Sequence, residues 1–280
     1  MPNKTILITG ATNGIGLETA RGLAKTGAHL VLVARDAAKG ERVVAEIKKG
    51  TQNEQIDLLI ADLSRQNSVR ALATQVLDRY PRLDVLVNNA GGVFNPRTVT
   101  ADGIETTWAV NHLAYFLLTH LLLDRLKASA PARIVNVSSA AHFGGRIRLD
   151  DPEFKNGGYN AMGAYSQSKL ANILFTKELA RRLAGSGVTA NCLHPGMVAT
   201  GFGRNTMGWM GSIVGLAMRF GLTPEQGAAT SIYLATSPAV ADVSGEYFAD
   251  RKVARVDAKA NDVELAQKLW ALSEKQCGMV

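Results

Sequence analysis

The stretch TILITGATNGIG, residues 5–16, decides the fold of this 280-residue chain. It opens with a short apolar run typical of a buried strand, passes through three glycines and continues into a helical pattern over residues 15–25. Glycines permit positive φ and close backbone approach, and a helix that starts near Gly14 points its first N–H groups and positive dipole end outward. The stretch therefore predicts a pyrophosphate-binding turn for a dinucleotide, although a plain structural turn has similar glycines. The predicted contacts are Gly10, Thr12, Asn13, Gly14, Ile15 and Gly16.

The same alternation of apolar run and helical pattern repeats along the chain. It predicts strands over residues 5–9, 29–34, 56–60, 83–87, 133–137, 188–192 and near 246–249, and helices over 15–25, 36–49, 64–80, 101–128 and 159–184. Apolar strands joined by helices indicate a parallel sheet that is covered on both faces. Right-handed crossovers and a reversal after the third strand give the order 3-2-1-4-5-6-7. We expect an α/β fold with a doubly wound (Rossmann) parallel sheet of about seven strands, in one domain spanning residues 1–280.

Composition and charge exclude several classes of protein. Hydrophobic residues make up 46% and charged residues 20%, which is ordinary globular usage. The net charge of +7 is dispersed along the chain, so we expect no nucleic-acid partner. Two cysteines are too few for a disulfide framework, so we expect a cytoplasmic protein. Five histidines form no ligand set, so we expect no metal. The sequence contains no apolar run long enough for a membrane span and no signal-peptide core.

Polar residues follow the second, third and fourth predicted strands, at the edge where a parallel sheet binds its ligand. Arg35 ends the second strand, where its guanidinium would clamp a 2′-phosphate and so favour NADP over NAD, unless it is a solvated charge beside the helix cap Asp36. Asp62-Leu63 would accept a hydrogen bond from adenine or form a turn. Asn88-Asn89-Ala90-Gly91 would contact the adenosine ribose and brace the first strand, or form a plain turn. The predicted cofactor contacts here are Arg35, Asp62, Leu63, Asn89, Ala90 and Gly91.

A tyrosine and a lysine stand four residues apart in the helix predicted over 159–184. Tyr165 and Lys169 therefore project from one face, one turn apart. A free phenol with a pKa of about 10 is a weak base at neutral pH, and a neighbouring ammonium stabilises its phenolate. Ser138-Ser139, after the fifth strand, would offer a hydroxyl to a substrate oxygen, and Asn111 would hold a water that extends the proton path. Alone, such a Tyr/Lys pair is usually packing or surface, but its occurrence with a dinucleotide turn favours a catalytic site.

Together these motifs resemble the short-chain dehydrogenase/reductase family over most of the chain. The resemblance rests on Thr9-Gly10-x-x-x-Gly14-x-Gly16, Asn88-Asn89-Ala90-Gly91, Asn111, Ser139, Tyr165-x-x-x-Lys169 and Pro195-Gly196, in family order. It implies a catalytic tetrad of Asn111, Ser139, Tyr165 and Lys169, in which Tyr165 and Lys169 also contact the cofactor. It further implies that the nicotinamide carboxamide is held by Pro195, Gly196, Val198 and Thr200.

Within that family the sequence most resembles the retinol dehydrogenase-like branch. The similarity rests on Val110-Asn-His-Leu113, Asn136-Val-Ser-Ser139, Tyr165-x-x-Ser168-Lys169-Leu-Ala-Asn172 and His194-Pro-Gly196. Members of the branch that act on membrane retinoids often carry an amino-terminal hydrophobic anchor, whereas this chain starts at its first strand. We therefore expect a soluble enzyme.

Two regions are predicted to select the substrate. A loop over residues 140–164 carries Phe143, Arg146, Arg148, Phe154 and Tyr159, and His142 is the histidine predicted to contact substrate. Residues 201–221 are rich in methionine, tryptophan, phenylalanine and glycine. They indicate a lid over an apolar pocket, or an apolar helix packed on its own domain or at a subunit contact.

The long helices carry apolar residues on more than one face. The resemblance implies that such helices form the contact of a homodimer or homotetramer, and the alternative is a monomer with a thickly covered sheet. The apolar residues are Leu113, Phe116, Leu117, Leu121, Leu170, Ile173, Leu174 and Phe175.

Two functions are compatible with the sequence. The first is reversible, NADP-dependent hydride transfer between an apolar alcohol and the corresponding ketone or aldehyde, with Tyr165 as acid/base. The second is a catalytically silent dinucleotide-binding sensor or scaffold with the same fold. The intact Ser139, Tyr165 and Lys169 argue for the enzyme.

Overall fold

The computed structural model describes residues 1–196 and 222–280, in which strands and helices alternate. The strands are β1 (Thr5–Thr9), β2 (His29–Ala34), β3 (Ile56–Ile60), β4 (Val85–Asn88), β5 (Ala132–Val137), β6 (Val188–His194), β7 (Tyr247–Ala249) and β8 (Lys252–Val253). The helices are α1 (Gly14–Ala24), α2 (Ala37–Thr51), α3 (Gln66–Arg79), α4 (Thr106–Trp108), α5 (Ala114–Ala128), α6 (Ala161–Arg182), α7 (Pro224–Thr236) and α8 (Val263–Gln276). Within these two ranges, no helix is long and apolar enough to cross a membrane.

The strands form one sheet in the order β3-β2-β1-β4-β5-β6-β7-β8. The first seven pair in parallel and confirm the predicted order, whereas β8 pairs antiparallel to β7. The additional strand follows a tight turn at Asp250 and Arg251, whose φ angles are 46° and 61°. Two consecutive residues with positive φ close a two-residue hairpin, but Asp-Arg is not a pair that usually signals one. The sequence pattern therefore did not predict β8.

Side chains of each central strand alternate between two apolar layers. In β1, Ile6 and Ile8 pack in the layer that contains α1 and α7, while Leu7 packs in the layer that contains α3 and α5. All three side chains are fully buried. Because parallel strands covered on both faces end at a common edge, the loops after β1, β4, β5 and β6 gather there.

The helix predicted over residues 101–128 begins five residues later. Gly103 has a φ of +77°, which ends any helix before it, and the buried Glu105 carboxylate accepts hydrogen bonds from the backbone N–H groups of Thr107 and Trp108 at 2.8 Å each. Such a carboxylate satisfies the first N–H groups of a helix and favours its positive end. The helix then contains a π-helical turn, Ala109–Leu113, before α5. The π-turn contains Asn111, and π-turns occur frequently at functional sites.

The apolar faces of α5 and α6 are covered by α8 of the same chain. The ring of Trp270 lies 4.9 Å from that of Phe116 and 5.8 Å from that of Phe175, and the Arg182 guanidinium lies 4.1 Å above it. Except for the partly buried Leu121, the apolar residues named for these helices are buried. A monomer with a thickly covered sheet thus accounts for their composition, and the homodimer or homotetramer stays a prediction.

A buried carboxylate just before β4 helps to fix the strand ends. Asp84 is buried, and its carboxylate accepts hydrogen bonds from Lys4 at 2.8 Å, the Thr5 backbone N–H at 2.9 Å and Arg82 at 2.6 Å. Burial by itself raises the pKa of Asp84, but these bonds outweigh burial and hold the pKa below its ordinary value of 3.8. The carboxylate therefore stabilises the fold above that pH and loses its effect as the pH falls below it.

We expect Asp84→Ala to lower the free energy of unfolding at pH 7 by about 1–3 kcal/mol, the usual range for hydrogen bonds to a charged group. Urea denaturation measures this change. The matched control is Glu54→Ala, whose exposed carboxylate lies 3.5 Å from Lys48 and should change stability by less than about 0.5 kcal/mol. Equal effects of the two substitutions would contradict the assignment.

Candidate active site

The glycine turn after β1 is shaped by backbone contacts that exclude side chains. Gly10 and Gly14 have φ angles of +67° and +50°. A Cβ on Gly10 would lie 2.8 Å from the Ala90 Cα, and a Cβ on Gly16 would collide with the Gly10 carbonyl oxygen. Asn13 precedes α1 in an extended conformation, and its side chain makes no capping hydrogen bond. The first N–H groups of α1 therefore remain available to an anion.

Asn89 and Thr9 hold this turn against the end of β4. The Asn89 side-chain amide donates to the carbonyl oxygens of Thr9 at 2.9 Å and Gly10 at 3.2 Å. The Thr9 hydroxyl accepts from the backbone N–H groups of Asn89 at 2.9 Å and Ala90 at 3.1 Å. The predicted brace between the loop after β4 and the first strand is thus present. It fixes the turn before any ligand binds.

The residues predicted on the adenosine side have different environments. Arg35 is exposed at the end of β2, and Asp36 caps α2 by accepting from the Lys39 N–H at 2.9 Å. Asp62 forms the turn that the sequence left as its alternative, since its Oδ1 accepts from the Ser64 N–H at 3.0 Å and hydroxyl at 2.7 Å. Leu63 is half-buried beside it. Arg35 is the cationic side chain at this end of β2.

The helix α6 brings Tyr165 and Lys169 to the end of β5. Asn160 starts the helix by accepting from the Gly163 N–H at 2.6 Å. Tyr165 is hydrogen-bonded to the Ser139 side chain, which follows β5. The neighbouring Ser138 points inward and donates to the Lys169 carbonyl oxygen at 2.7 Å. Of the two serines, Ser139 is therefore the one beside the phenol.

Lys169 is a buried ammonium. Its Nζ donates to the Val137 carbonyl oxygen at 3.0 Å and lies 5.5 Å from the Tyr165 ring centroid. Burial lowers the pKa of Lys169 to about 7. Burial also raises the pKa of Tyr165 to about 12, against the opposing effect of the Ser139 hydrogen bond. Burial therefore disfavours the charged form of both side chains. A phenolate at Tyr165 requires a positive charge beside it.

The Asn111 side chain bonds the loop after β4 and helix α6. Its amide group bonds the backbone of Gly92 through both Oδ1 and Nδ2, each at 2.9 Å, and donates to the Ser168 hydroxyl at 3.0 Å. Its carbonyl oxygen accepts from the Asn172 side chain at 2.9 Å. The side chain therefore fixes the loop after β4, and a water held by Asn111 stays a prediction.

Sequence reasoning missed the contributions of Ser168 and Asn172. Each lies three residues after a predicted catalytic residue on α6, and both are fully buried. With Tyr165 and Lys169 they form a polar stripe at helical spacing, which is the signal that identifies them in the sequence. Asn172 also donates to the Val137 carbonyl oxygen at 3.4 Å.

The prediction that His142 contacts substrate is wrong. Its Nδ1 donates to the Ser139 carbonyl oxygen at 2.7 Å, and its Nε2 accepts from the Asp257 N–H at 3.2 Å. Both ring nitrogens are therefore bonded to backbone, and the ring connects the residues after β8 to the Ser139 loop. His194 likewise accepts from the Ala140 N–H at 3.2 Å, as a strand-end packing residue would.

Part of the predicted substrate loop packs inward. Phe154 is buried beneath the Arg148 guanidinium at 4.4 Å, and the Tyr159 hydroxyl donates to the Phe94 carbonyl oxygen at 2.6 Å. Phe143 remains exposed, four residues after Ser139. The predicted lid 201–221 and the predicted contacts Val198 and Thr200 lie outside the described residues.

The described part of the chain leaves three apolar side chains exposed near this edge. Phe143 is 48% exposed, Met162, one turn before Tyr165, is 41% exposed, and Leu222 is 40% exposed. Leu222 packs against Gly196, which follows Pro195 at the end of β6 with a φ of +88°.

A glycine turn at the edge of a doubly wound sheet and a Ser, Tyr and Lys cluster at the same edge define a dinucleotide-binding α/β protein with an acid/base site. The family model of the short chain dehydrogenases matches residues 4–210. The chain belongs to this family, in its retinol dehydrogenase-like branch.

Individual relatives agree with this family. Human retinol dehydrogenase 11 is 48% identical over 275 residues, which cover 98% of this chain and 85% of that protein. An uncharacterized protein from Mycobacterium paratuberculosis has a similar structure, with a TM-score of 0.80, 36% identity and coverage of 99% of this chain and 94% of that one. Pseudomonas aeruginosa RhlG, solved as an active-site complex with NADP, has a TM-score of 0.71, 28% identity and coverage of 89% and 94%.

The burial of Lys169 predicts a gain of stability when its charge is removed. Because the pKa is about 7 in the folded protein and 10.5 ordinarily, the unfolded chain binds the proton more tightly between these values, so the wild type becomes more stable as the pH rises through them. We expect Lys169→Met to be more stable than wild type by a few kcal/mol at pH 7 and below, at ~1.4 kcal/mol per pKa unit. The advantage should shrink toward pH 10.

Denaturation of the cofactor-free protein across this pH range measures the difference. The control is Lys177→Met, two turns later on α6 with a half-exposed side chain. A similar pH-dependent gain in the control, or a loss of stability in Lys169→Met at pH 7, would contradict the burial argument.

Proposed function

We propose that this protein is an oxidoreductase that transfers a hydride between NADP(H) and an apolar alcohol or the corresponding ketone or aldehyde, with Tyr165 as the acid/base. The observation that carries the proposal is the Ser139, Tyr165 and Lys169 cluster at the carboxyl edge of the sheet, on the side where the glycine turn lies. Membership of the short chain dehydrogenases supports the reaction class.

The residues at this edge fit a dinucleotide. The turn packs so closely at Gly10 and Gly16 that no side chain fits, the Asn89 brace holds it in place, and the first N–H groups of α1 carry no side-chain cap. A Cβ on Gly91 would lie 3.5 Å from the Lys169 Nζ, so the glycine keeps a side chain away from the ammonium, which would hold a ribose hydroxyl of the bound cofactor. When bound, the nicotinamide supplies or accepts the hydride.

Tyr165 moves the proton. In reduction the protonated phenol donates to the substrate carbonyl oxygen, and in oxidation the phenolate takes the proton of the substrate hydroxyl. With a pKa of about 12, the phenol is protonated at neutral pH, as a donor must be, and its phenolate is scarce. Lowering its pKa to 7 requires the phenolate to be stabilised by about 7 kcal/mol, at ~1.4 kcal/mol per pKa unit. The Lys169 ammonium contributes to this stabilisation. Ser139 orients the substrate oxygen toward the phenol.

Arg35 supports NADP as the cofactor. Its exposed guanidinium stands at the end of β2 and next to the capping Asp36, where a carboxylate in its place would repel a 2′-phosphate. The NADP complex of Pseudomonas aeruginosa RhlG is consistent with this choice. An apolar substrate is supported by the exposed Phe143, Met162 and Leu222 near the acid/base group.

We expect Tyr165→Phe to lower kcat by about 10²–10⁴-fold, the range for a group that transfers a proton in the transition state. The dissociation constant for NADPH should stay within about threefold, because the ring that faces the cofactor site is retained. Turnover is followed by NADPH absorbance with a panel of aliphatic, aromatic, steroid and retinoid carbonyls, and binding by NADPH fluorescence. The control is Tyr233→Phe on α7, which should leave both values unchanged. Wild-type binding of NADPH without turnover on any substrate would instead support a silent sensor.

We expect Arg35→Ala to raise the KM for NADPH by about 10- to 100-fold, the loss of one charge-assisted hydrogen bond or ion pair. The KM for NADH should change little, because that cofactor lacks the 2′-phosphate. Arg79→Ala, at the end of α3 and therefore at the amino-terminal ends of the strands, removes an exposed charge of the same kind and should leave both constants unchanged. If the wild type uses NADH as well as NADPH, the assigned role of Arg35 is wrong.

A further inference from the structure

The hydroxyl of Tyr115 is buried without a hydrogen-bond partner. The side chain is 1% exposed, and within the described residues its Oη contacts no donor or acceptor at hydrogen-bond distance. A buried polar group without a partner opposes folding, and phenylalanine would fill the same space without that cost. A residue that weakens the fold in this way at an active site is expected to serve the reaction.

Tyr115 lies beside the reacting groups. It follows Asn111 by four residues at the start of α5, one helical turn further on. The Lys169 Nζ lies 5.8 Å from the Tyr115 ring centroid and 5.5 Å from the Tyr165 ring centroid, so the ammonium has a phenol ring on each of two helices. Tyr115 and Tyr165 are also close enough to interact electrostatically.

Other polar groups around the ammonium are already occupied. An ammonium has three N–H donors, and one of them bonds the Val137 carbonyl oxygen at 3.0 Å. The Asn111 side chain is held by Gly92 and Ser168, and the Asn172 amide bonds two carbonyl oxygens. The Tyr115 hydroxyl differs from these neighbours because its oxygen is still able to accept a hydrogen bond.

We propose that Tyr115 is a positioning residue of the reaction: during turnover its hydroxyl accepts a hydrogen bond from the Lys169 ammonium, directly or across one water, and keeps the ammonium charged. This inference rests on the proposed function. Burial drives Lys169 toward its neutral form, which cannot stabilise the Tyr165 phenolate. The other titratable groups on this side are Tyr165 itself and Tyr247 of β7, with the Cys192 thiol of β6 next to Tyr247. An acceptor on α5 offsets the cost of burying the ammonium.

The test is Tyr115→Phe, which keeps the ring and removes the hydroxyl. We expect kcat for NADPH-dependent turnover to fall about tenfold, less than for loss of the proton-transferring group itself. The alkaline limb of the kcat profile should move to lower pH, because Lys169 loses its proton more readily. The melting temperature of the cofactor-free protein should rise, because the unpartnered hydroxyl is gone.

Tyr80→Phe is the matched control. Its hydroxyl is also buried but donates to Asp57 at 2.8 Å, far from the site at the end of α3. We expect the opposite pattern there, a lower melting temperature with unchanged kcat and pH profile.

The outcomes separate the two proposals. A Tyr115→Phe enzyme with kcat within twofold of wild type and an unmoved pH profile overturns the role of Tyr115 alone. A variant that loses stability and activity together also overturns it, because the hydroxyl then belongs to the packing. Wild-type protein without turnover on the whole carbonyl panel overturns the proposed function, and this inference with it.

Discussion

The arrangement of the site depends on the cost of burying the Lys169 ammonium away from water. A lysine charge that is nine-tenths or more buried persists only where polar groups and other charges offset the lost hydration. Here the Val137 carbonyl oxygen accepts one of its hydrogen bonds at 3.0 Å, and the rings of Tyr115 and Tyr165 face it from two helices. Because β5, α5 and α6 each supply one of these contacts, the position of the ammonium depends on the packing of the sheet against both helices.

A buried polar ladder fixes that packing. The Asn88 side chain of β4 donates to Asn136 of β5 at 2.9 Å, and Asn136 donates to the Thr176 hydroxyl of α6 at 3.0 Å. Thr176 in turn donates to the Asn172 carbonyl oxygen at 2.6 Å. Apolar side chains allow neighbouring elements to slide against each other at small cost, whereas a buried amide left without its partner costs about 1–3 kcal/mol. The ladder therefore favours a single register between α6 and the sheet.

The fold was predictable from the sequence because its signals are local, and the missed features depend on tertiary contacts. Strands β1, β2 and β3 begin and end where their apolar runs do. The sequence pattern placed the start of the helix that contains Asn111 too early, because the capping role of Glu105 was not recognised. The Asp102-Gly103 turn before the helix is a signal that the sequence does contain. The pairing of the reacting groups was also readable, from the spacing of Tyr165 and Lys169. The bonds of His142 were not, since they join Ser139 to Asp257, more than a hundred residues away.

Substrate choice is the least constrained property of this site, for a physical reason. The cofactor side is made by backbone, where a Cβ on Gly10 or Gly16 would meet other backbone atoms. The proposed reacting side includes the buried Tyr165 and Lys169, and Lys169 also bonds the end of β5. The described side chains near the entrance, Phe143 and Met162, are about half exposed, and Phe143 packs on the His142 ring at 4.2 Å. Exposed side chains contribute little to stability, so this entrance is able to vary while the backbone turn and the buried side chains stay the same.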